Sequence, residues 1–325
     1  METQKEILIK IRNLGKEFPI KKGFFNKKVG SVHAVNDVSL DIFKGETLSI
    51  VGESGCGKST LGRCITNLTD ITSGKIKFHD KDILYSNKKE LHQKIQIIFQ
   101  NPYSSLNPRM TIKDILEEPL VINNYSKSEI KKRLSKTLSL VNLEEGILSR
   151  FPHEFSGGQR QRIGIARALI LEPEFIVADE PVSALDVSVQ AQILNLLNEL
   201  KKELNLTYIF ISHDLSVVKY VSDRIAVMYL GEIVELANNN ELYETPKHPY
   251  TQALLSSIPI PDPTKSNKER IILKGDIPSP SNPPKGCKFN TRCPFVMDIC
   301  YKEHPELKEI EPNRNVRCFL YEDKK

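Results

Sequence analysis

The sequence lacks any long uncharged run. Its longest stretches without Asp, Glu, Lys or Arg are Ile95–Pro108 and His248–Pro261, fourteen residues each, and proline interrupts both. A helix that crosses a bilayer needs about 18 to 20 apolar residues, so we expect no membrane-spanning segment. The first residues, Met1–Glu6, also lack the apolar run of a secretory signal, and we therefore expect a cytosolic protein.

A surplus of charge of one sign is also missing. The chain has 46 Lys and Arg against 41 Asp and Glu, and its lysine pairs are scattered. A nucleic-acid-binding surface is normally more basic and more clustered, so we expect no nucleic-acid partner. With 39% hydrophobic and 27% charged residues, the composition is that of a folded globular protein, and 325 residues predict about two domains.

Proline marks the predicted domain boundary. Nine of the 19 prolines fall between Pro246 and Pro284, and such a stretch cannot form one regular element, because each proline lacks an N–H donor. We therefore predict a domain over residues 1–245, followed by a proline-rich linker and a small C-terminal module over residues 246–325.

The first domain has the pattern of an α/β fold. Short apolar runs predict buried strands of a mostly parallel sheet, and Val189, Ile193, Leu196, Leu197, Leu200 and Leu204 recur at the spacing of an amphipathic helix. A helical stretch, with Ser126 and Glu129 in capping-box spacing, predicts an inserted helical subdomain over about 101–165. The predicted strands are 47–51, 175–178, 208–211 and 224–230.

A glycine-rich loop follows the first of these strands and precedes a helix. In this context its pattern is that of a phosphate-binding loop, whose backbone N–H groups surround phosphate oxygens. Lys58 would then reach the β- and γ-phosphates of a nucleotide, and the Ser59 hydroxyl would bind Mg²⁺. Cys56 fills a small loop position, where its thiol could make activity sensitive to alkylation. The loop and the start of the helix comprise Gly52, Glu53, Ser54, Gly55, Cys56, Gly57, Lys58, Ser59 and Thr60.

Two acidic residues end the second predicted strand. Asp179 can hold Mg²⁺ through water, and Glu180 can orient and polarise an attacking water. Together with a phosphate loop, they predict a site for ATP hydrolysis.

A further string, Ser156, Gly157, Gly158, Gln159, resembles the signature sequence of ABC-type ATPases. The other family motifs lie around it in the family's order: Gln100 resembles the Q-loop glutamine and His213 the switch histidine, and Phe18 stands where an aromatic residue stacks on adenine. Phe155 departs from the Leu that many members carry before the signature serine. The residues that resemble the D-loop are Ser183, Ala184, Leu185 and Asp186.

This resemblance implies a fold and a mechanism. The family has a RecA-like parallel sheet with additional antiparallel strands and a helical subdomain. Two such domains pair head to tail, and each ATP lies between the phosphate loop of one and the signature of the other. Gln100, Glu180 and His213 would act in catalysis, and Ser59, Gln100 and Asp179 at Mg²⁺. An ABC ATPase of DNA repair would carry a long coiled coil, and the gap between Gln100 and Ser156 is too short for one. An ABC-type translation factor would carry two copies of the motifs, whereas this chain has one phosphate loop and one signature.

Three longer strings resemble the oligopeptide/dipeptide permease ATPases, and Val182 with Ser183 favours the F-type subunit. The resemblance implies a D-type ATPase partner, two membrane permeases, an external peptide-binding protein and a place on the cytoplasmic face of the membrane. A related importer for nickel or another small solute is the alternative. The strings are Asn101–Arg109, Pro181–Ser188 and His248–Leu255.

Four cysteines are concentrated near the C-terminus: Cys287, Cys293, Cys300 and Cys318. Disulfides are uncommon in the cytosol, whereas four thiolates are a ligand set for zinc or an iron–sulfur cluster. The family's similar tail is linked with a 4Fe-4S cluster, and the wide gaps also favour iron. Zinc and reduced, unliganded thiols remain the alternatives, and we expect a structural role for the site.

Overall fold

The computed structural model describes residues 6–23, 27–258 and 271–322. Residues 259–270, the middle part of the predicted proline-rich linker, lie outside the described residues. In the described part of the chain, no helix is long and apolar enough to cross a membrane. The chain divides into two compact units, each discontinuous in sequence. The first unit comprises Met1–Glu6, Phe43–Thr47 and Lys81–Ile211, and the second Ile7–Ile42, Leu48–Asp80 and Ser212–Lys325.

The described residues contain strands and helices with the following bounds. The strands are β1 (Ile7–Lys22), β2 (Lys27–Phe43), β3 (Thr47–Val51), β4 (Ser73–Phe78), β5 (Lys81–Asp82), β6 (Ile95–Ile98), β7 (Phe175–Asp179), β8 (Thr207–Ser212), β9 (Arg224–Tyr229), β10 (Glu232–Asn238), β11 (Lys308–Glu311) and β12 (Arg314–Val316). The helices are α1 (Lys58–Ile65), α2 (Lys88–Lys94), α3 (Pro102–Ser105), α4 (Ile112–Ile122), α5 (Lys127–Leu140), α6 (Gly157–Leu169), α7 (Val187–Leu204), α8 (Leu215–Val221), α9 (Asn239–Glu244), α10 (Pro249–Ser256) and α11 (Asp298–Lys302).

The first unit contains three parallel strands, with β7 between β6 and β8. All five residues of β7 are buried, and the first four are apolar, as expected for a strand covered on both faces. All four strands predicted from apolar runs are confirmed as β3, β7, β8 and β9. Parallel strands end at a common edge, so the residues that follow β6 and β7 come close together.

Helices α3 to α6 of the first unit occupy the stretch predicted to be a helical subdomain, whose boundaries stay a prediction. Ser126 accepts a hydrogen bond from the Glu129 N–H and so caps α5 at 3.3 Å, while the Glu129 carboxylate pairs with Arg133. Helix α7 has the predicted apolar face. Its buried residues are Ile193, Leu194, Leu196, Leu197 and Leu200.

The second unit contains strands of two sheets. In one, β1 lies between β2 and β4; in the other, β3 and β9 are parallel, and β10, β12 and β11 follow as antiparallel neighbours. Strand β12 pairs with β10 through Leu236 and Asn315. Buried Arg314 contacts buried Glu235 at 3.0 Å. The C-terminal residues are therefore packed into this unit.

Candidate functional site

The predicted phosphate loop connects β3 to α1 in the second unit. Gly57 precedes the helix with a φ of 108°, and a Cβ atom there would lie 2.0 Å from the Ala34 carbonyl oxygen. Gly52 has a φ of 152°, and its Cβ would lie 2.1 Å from the Met228 carbonyl oxygen. Only glycine fits such a backbone so close to its neighbours, which explains the glycine pattern.

Lys58 lies inside this loop and is buried. Its Nζ donates to the carbonyl oxygens of Gly52 at 2.8 Å and Glu53 at 3.0 Å. The ammonium group is thus held by the curled backbone itself, at the N-terminus of α1. Burial raises the pKa of the neighbouring Cys56 thiol, against the opposing effect of the Lys58 charge.

Two residues that lie far from the loop in the sequence also contact it. Tyr250 in α10 accepts a hydrogen bond at its hydroxyl from the Glu53 N–H at 2.9 Å. The Arg292 guanidinium binds both carboxylate oxygens of Glu53, at 2.8 and 2.9 Å. No local sequence pattern connects Glu53 to positions 197 and 239 residues away, so the sequence alone gives no role to Tyr250 or Arg292.

The acidic part of the predicted site lies in the first unit. Buried Asp179 ends β7, and Glu180 follows with a φ of 46°, a left-handed conformation that is uncommon for a side-chain-bearing residue. The Glu180 N–H donates to the Ile211 carbonyl oxygen at 3.0 Å. The Gln100 side-chain amide donates to the Glu180 carboxylate at 2.8 Å. The structure therefore brings together two of the predicted catalytic side chains.

The signature residues begin helix α6, also in the first unit. The Ser156 hydroxyl accepts from the Gln159 N–H at 3.4 Å, and the Gln159 side chain accepts from the Ser156 N–H at 3.1 Å, which completes a capping box. A Cβ on Gly158 would lie 2.5 Å from a methyl of Val189, and one on Gly157 3.4 Å from a methyl of Leu185. The D-loop residue Leu185 and Val189 in the first turn of α7 thus lie next to the signature glycines.

The remaining predicted residues take exposed positions. Phe18 is 42% exposed, and the Lys16 ammonium lies 4.9 Å from its ring centre. His213 follows β8 and is exposed. Phe18, the phosphate loop and His213 belong to the second unit, whereas the signature, Gln100, Glu180 and the D-loop belong to the first.

The four C-terminal cysteines line one small cavity in the second unit, together with aromatic and apolar side chains. Burial raises the pKa of Cys287 to about 11 and of Cys318 to about 12, and the neighbouring cysteines add to both shifts. Within residues 6–23, 27–258 and 271–322, however, no three His, Cys, Asp or Glu side chains are arranged to hold a metal ion. The thiols share a cavity without converging on one point.

Two family profiles match the chain. Residues 35–183 match the profile described as ABC transporter. Residues 234–300 match the one described as oligopeptide/dipeptide transporter, C-terminal region. The first match includes the loop, the signature and the acidic residues, and the second includes Tyr250, Arg292 and three of the four cysteines.

Among curated proteins, the chain is 54% identical to the oligopeptide transport ATP-binding protein AppF of Bacillus subtilis, over 98% of this chain and 99% of that protein. It is 49% identical to the oligopeptide transport ATP-binding protein OppF of Haemophilus influenzae, over 98% of both. Among solved structures, cbiO1 of Clostridium perfringens, part of an ABC transporter complex, has a TM-score of 0.64 at 29% identity and covers 74% of this chain and 93% of its own. The dimeric ATP-binding cassette MJ0796 bound to ADP and Pi has a TM-score of 0.62 at 32% identity and covers 71% and 99%.

Proposed function

Because the chain belongs to the family of ABC transporter ATP-binding proteins of oligopeptide permeases, we propose that it binds and hydrolyses ATP to drive the uptake of oligopeptides or dipeptides. The observation that carries the proposal is the loop between β3 and α1, which buries Lys58 among its own carbonyl oxygens. A lysine held there is placed for nucleotide phosphates.

In the proposed reaction, the loop N–H groups and Lys58 bind the phosphates. Ser59, Asp179 and Gln100 are the residues that would hold Mg²⁺, which would neutralise the charge that develops on the phosphates. Glu180 accepts the proton of the attacking water and His213 contacts the γ-phosphate. The hydrogen bond from Gln100 supports this role, because it orients the Glu180 carboxylate. Phe18 stacks on the adenine, for which its exposed ring is suited.

The signature acts on the ATP of a second ATP-binding subunit. Ser156 and the two glycines begin a 13-residue helix, whose N-terminal N–H groups and dipole favour an anion. The second subunit is a D-type ATPase, and the pair works beneath two membrane permeases, at the cytoplasmic face, with an external peptide-binding protein. The names of AppF and OppF support oligopeptides as the solute; no observation favours nickel.

The test is ATP hydrolysis by the assembled importer in proteoliposomes. We expect Lys58→Ala to abolish hydrolysis, because the phosphates lose their buried cation. Lys10→Ala, which breaks an exposed ion pair with Asp80 in the same unit, is the control and should hydrolyse ATP like the wild type. Equal hydrolysis by the Lys58→Ala complex would contradict the proposed site.

For the four cysteines we propose a structural metal site, with a 4Fe-4S cluster as the first candidate and Zn²⁺ as the second. Support comes from the chemistry of the donors, because four thiols on one cavity are a ligand set for either. Binding would require the thiols to converge and lose their protons, and the charge of the metal would offset the raised pKa values of Cys287 and Cys318.

Elemental analysis of anaerobically purified protein tests this site. We expect iron with acid-labile sulfide, and loss of both in a Cys287→Ala, Cys318→Ala double variant. Cys64→Ala, which removes a buried thiol in α1, is the matched control. Zinc without iron would identify the second candidate, and protein free of both metals would contradict the site.

A further inference from the structure

Glu53, the second residue of the phosphate loop, is bound on three sides. Its N–H donates to the Tyr250 hydroxyl, its carboxylate binds the Arg292 guanidinium through two hydrogen bonds, and its carbonyl oxygen accepts from Lys58. Lys58 also donates to Gly52. A single residue therefore connects Tyr250 and Arg292 to the lysine proposed to bind phosphate.

The two contacting side chains are themselves fixed. Tyr250 is fully buried, and its ring lies 4.7 Å from that of Tyr229 and 5.5 Å from that of Phe289, centre to centre. The Arg292 side chain is 7% exposed, and its guanidinium lies 5.9 Å from the Tyr229 ring centre. The Arg292 N–H donates to the Phe289 carbonyl oxygen at 3.0 Å. One aromatic cluster (Tyr229, Tyr250, Phe289) thus holds both groups.

Charge gives a reason for the pairing. Glu53 places a carboxylate in the loop that is proposed to bind the phosphates of ATP. An unpaired carboxylate there would repel the phosphates, and the repulsion is stronger in a protein than in water because the dielectric constant is lower. A planar guanidinium that binds both carboxylate oxygens neutralises this charge and fixes its direction. The hydrogen bonds to Glu53 raise the pKa of Arg292 against the effect of burial, so the guanidinium stays charged at any physiological pH.

We infer that Arg292 and Tyr250 are positioning residues of the ATP site: they hold Glu53, neutralise its charge, and so keep the phosphate loop in the shape that binds nucleotide. Both residues follow position 245, and both belong to the same compact unit as the loop. The C-terminal part of the chain is therefore a component of the ATP site. This inference rests on the proposed ATP-binding role of the loop.

The test is equilibrium binding of a fluorescent ATP analogue with Mg²⁺ to the full chain. We expect Arg292→Gln to raise the dissociation constant about tenfold, because it leaves the Glu53 carboxylate unpaired. Adding Glu53→Gln should restore affinity to within about threefold of the wild type, because the repelling charge is gone and two amides can pair. A merely structural role of Arg292 would not give this recovery.

The control is Arg12→Gln, which removes another guanidinium that binds both oxygens of a carboxylate, that of Asp41, in the same unit. Tyr250→Phe is a second variant that keeps the aromatic packing and removes only the hydroxyl, and we expect it to raise the dissociation constant about threefold. Its folding is checked by circular dichroism.

The outcomes separate the inference from the proposed function. Dissociation constants for Arg292→Gln and Tyr250→Phe within a factor of two of the Arg12→Gln value would overturn the inference. An equal loss in Arg292→Gln and in its double variant with Glu53→Gln would overturn the electrostatic part. Failure of the wild-type chain to bind the analogue would instead refute the proposed function, and the inference with it.

Discussion

Replacing Glu180 with glutamine changes the proposed chemistry while preserving the shape of the site. Glutamine has nearly the same size, and its side-chain oxygen can still accept the hydrogen bond that Gln100 donates at 2.8 Å. The backbone bond from residue 180 to the Ile211 carbonyl oxygen is unaffected. We therefore expect the free energy of unfolding to change by less than about 0.5 kcal/mol.

The expected loss is in the rate of hydrolysis. A positioned general base contributes about 10²- to 10⁴-fold, equivalent to about 2.7 to 5.4 kcal/mol of activation free energy. ATP affinity should stay within about twofold, because the phosphate contacts are assigned to the loop and Lys58 rather than to Glu180. The expected result is therefore normal ATP binding with turnover reduced at least about a hundredfold.

The assay combines ATP-analogue binding with single-turnover hydrolysis in the assembled importer. Glu172→Gln is a closely matched control, because Glu172 lies in the same unit and also has a left-handed backbone, with a φ of 55°. It pairs with Lys136 instead of Gln100. Hydrolysis by the Glu180→Gln complex within threefold of this control would refute the role of Glu180 as the base.

Three other changes test separate parts of the structure. Gly158→Ala places a Cβ 2.5 Å from a Val189 methyl; we expect about 1 to 3 kcal/mol of overpacking, partly offset by about 1 kcal/mol of helix propensity. Urea denaturation should show that adding Val189→Ala restores stability, and no recovery would contradict the contact. Burial would raise the pKa of Glu232, but His304, Lys288 and Arg317 lower it from 4.5 to about 2. Its charged form should therefore add up to about 3 kcal/mol to the free energy of unfolding above pH 4.5, and this contribution is lost as the pH falls toward 2. A difference in unfolding free energy between the wild type and Glu232→Gln that does not shrink between pH 7 and 3.5 would contradict this. Cys56 is 5% exposed with a raised pKa, so iodoacetamide at pH 7.5 should alkylate it at least about tenfold more slowly than a free thiol; rapid, ATP-protected modification would contradict the burial.

Local sequence patterns predicted the parts of the fold that depend on local physics. Apolar runs identified the buried strands β3, β7, β8 and β9, and the spacing from Ile193 to Leu200 identified the face of α7 that is buried. Capping-box spacing placed Ser126 at the start of α5, where its hydroxyl accepts from the Glu129 N–H. In α5, the Glu129 carboxylate pairs with Arg133, a choice that capping-box spacing alone does not reveal.

Contacts between distant positions could not be predicted in this way. The pairing of Arg292 with Glu53 joins positions 239 residues apart, and no local pattern distinguishes Arg292 from other arginines. Tyr250 was visible only as part of a family string, without a role. The left-handed backbone of Glu180 is accompanied by a hydrogen bond to Ile211 in the neighbouring strand β8, a contact that no local sequence pattern predicts.

The measurement that tests the central claim most directly is solute-stimulated ATP hydrolysis by the complete importer in proteoliposomes, with its external binding protein. Oligopeptides, dipeptides and Ni²⁺ are supplied in turn, and the Glu180→Gln complex provides the background rate. The account predicts that peptides stimulate hydrolysis above this background and that Ni²⁺ does not. Stimulation by Ni²⁺ alone, or hydrolysis that no peptide stimulates, would contradict it.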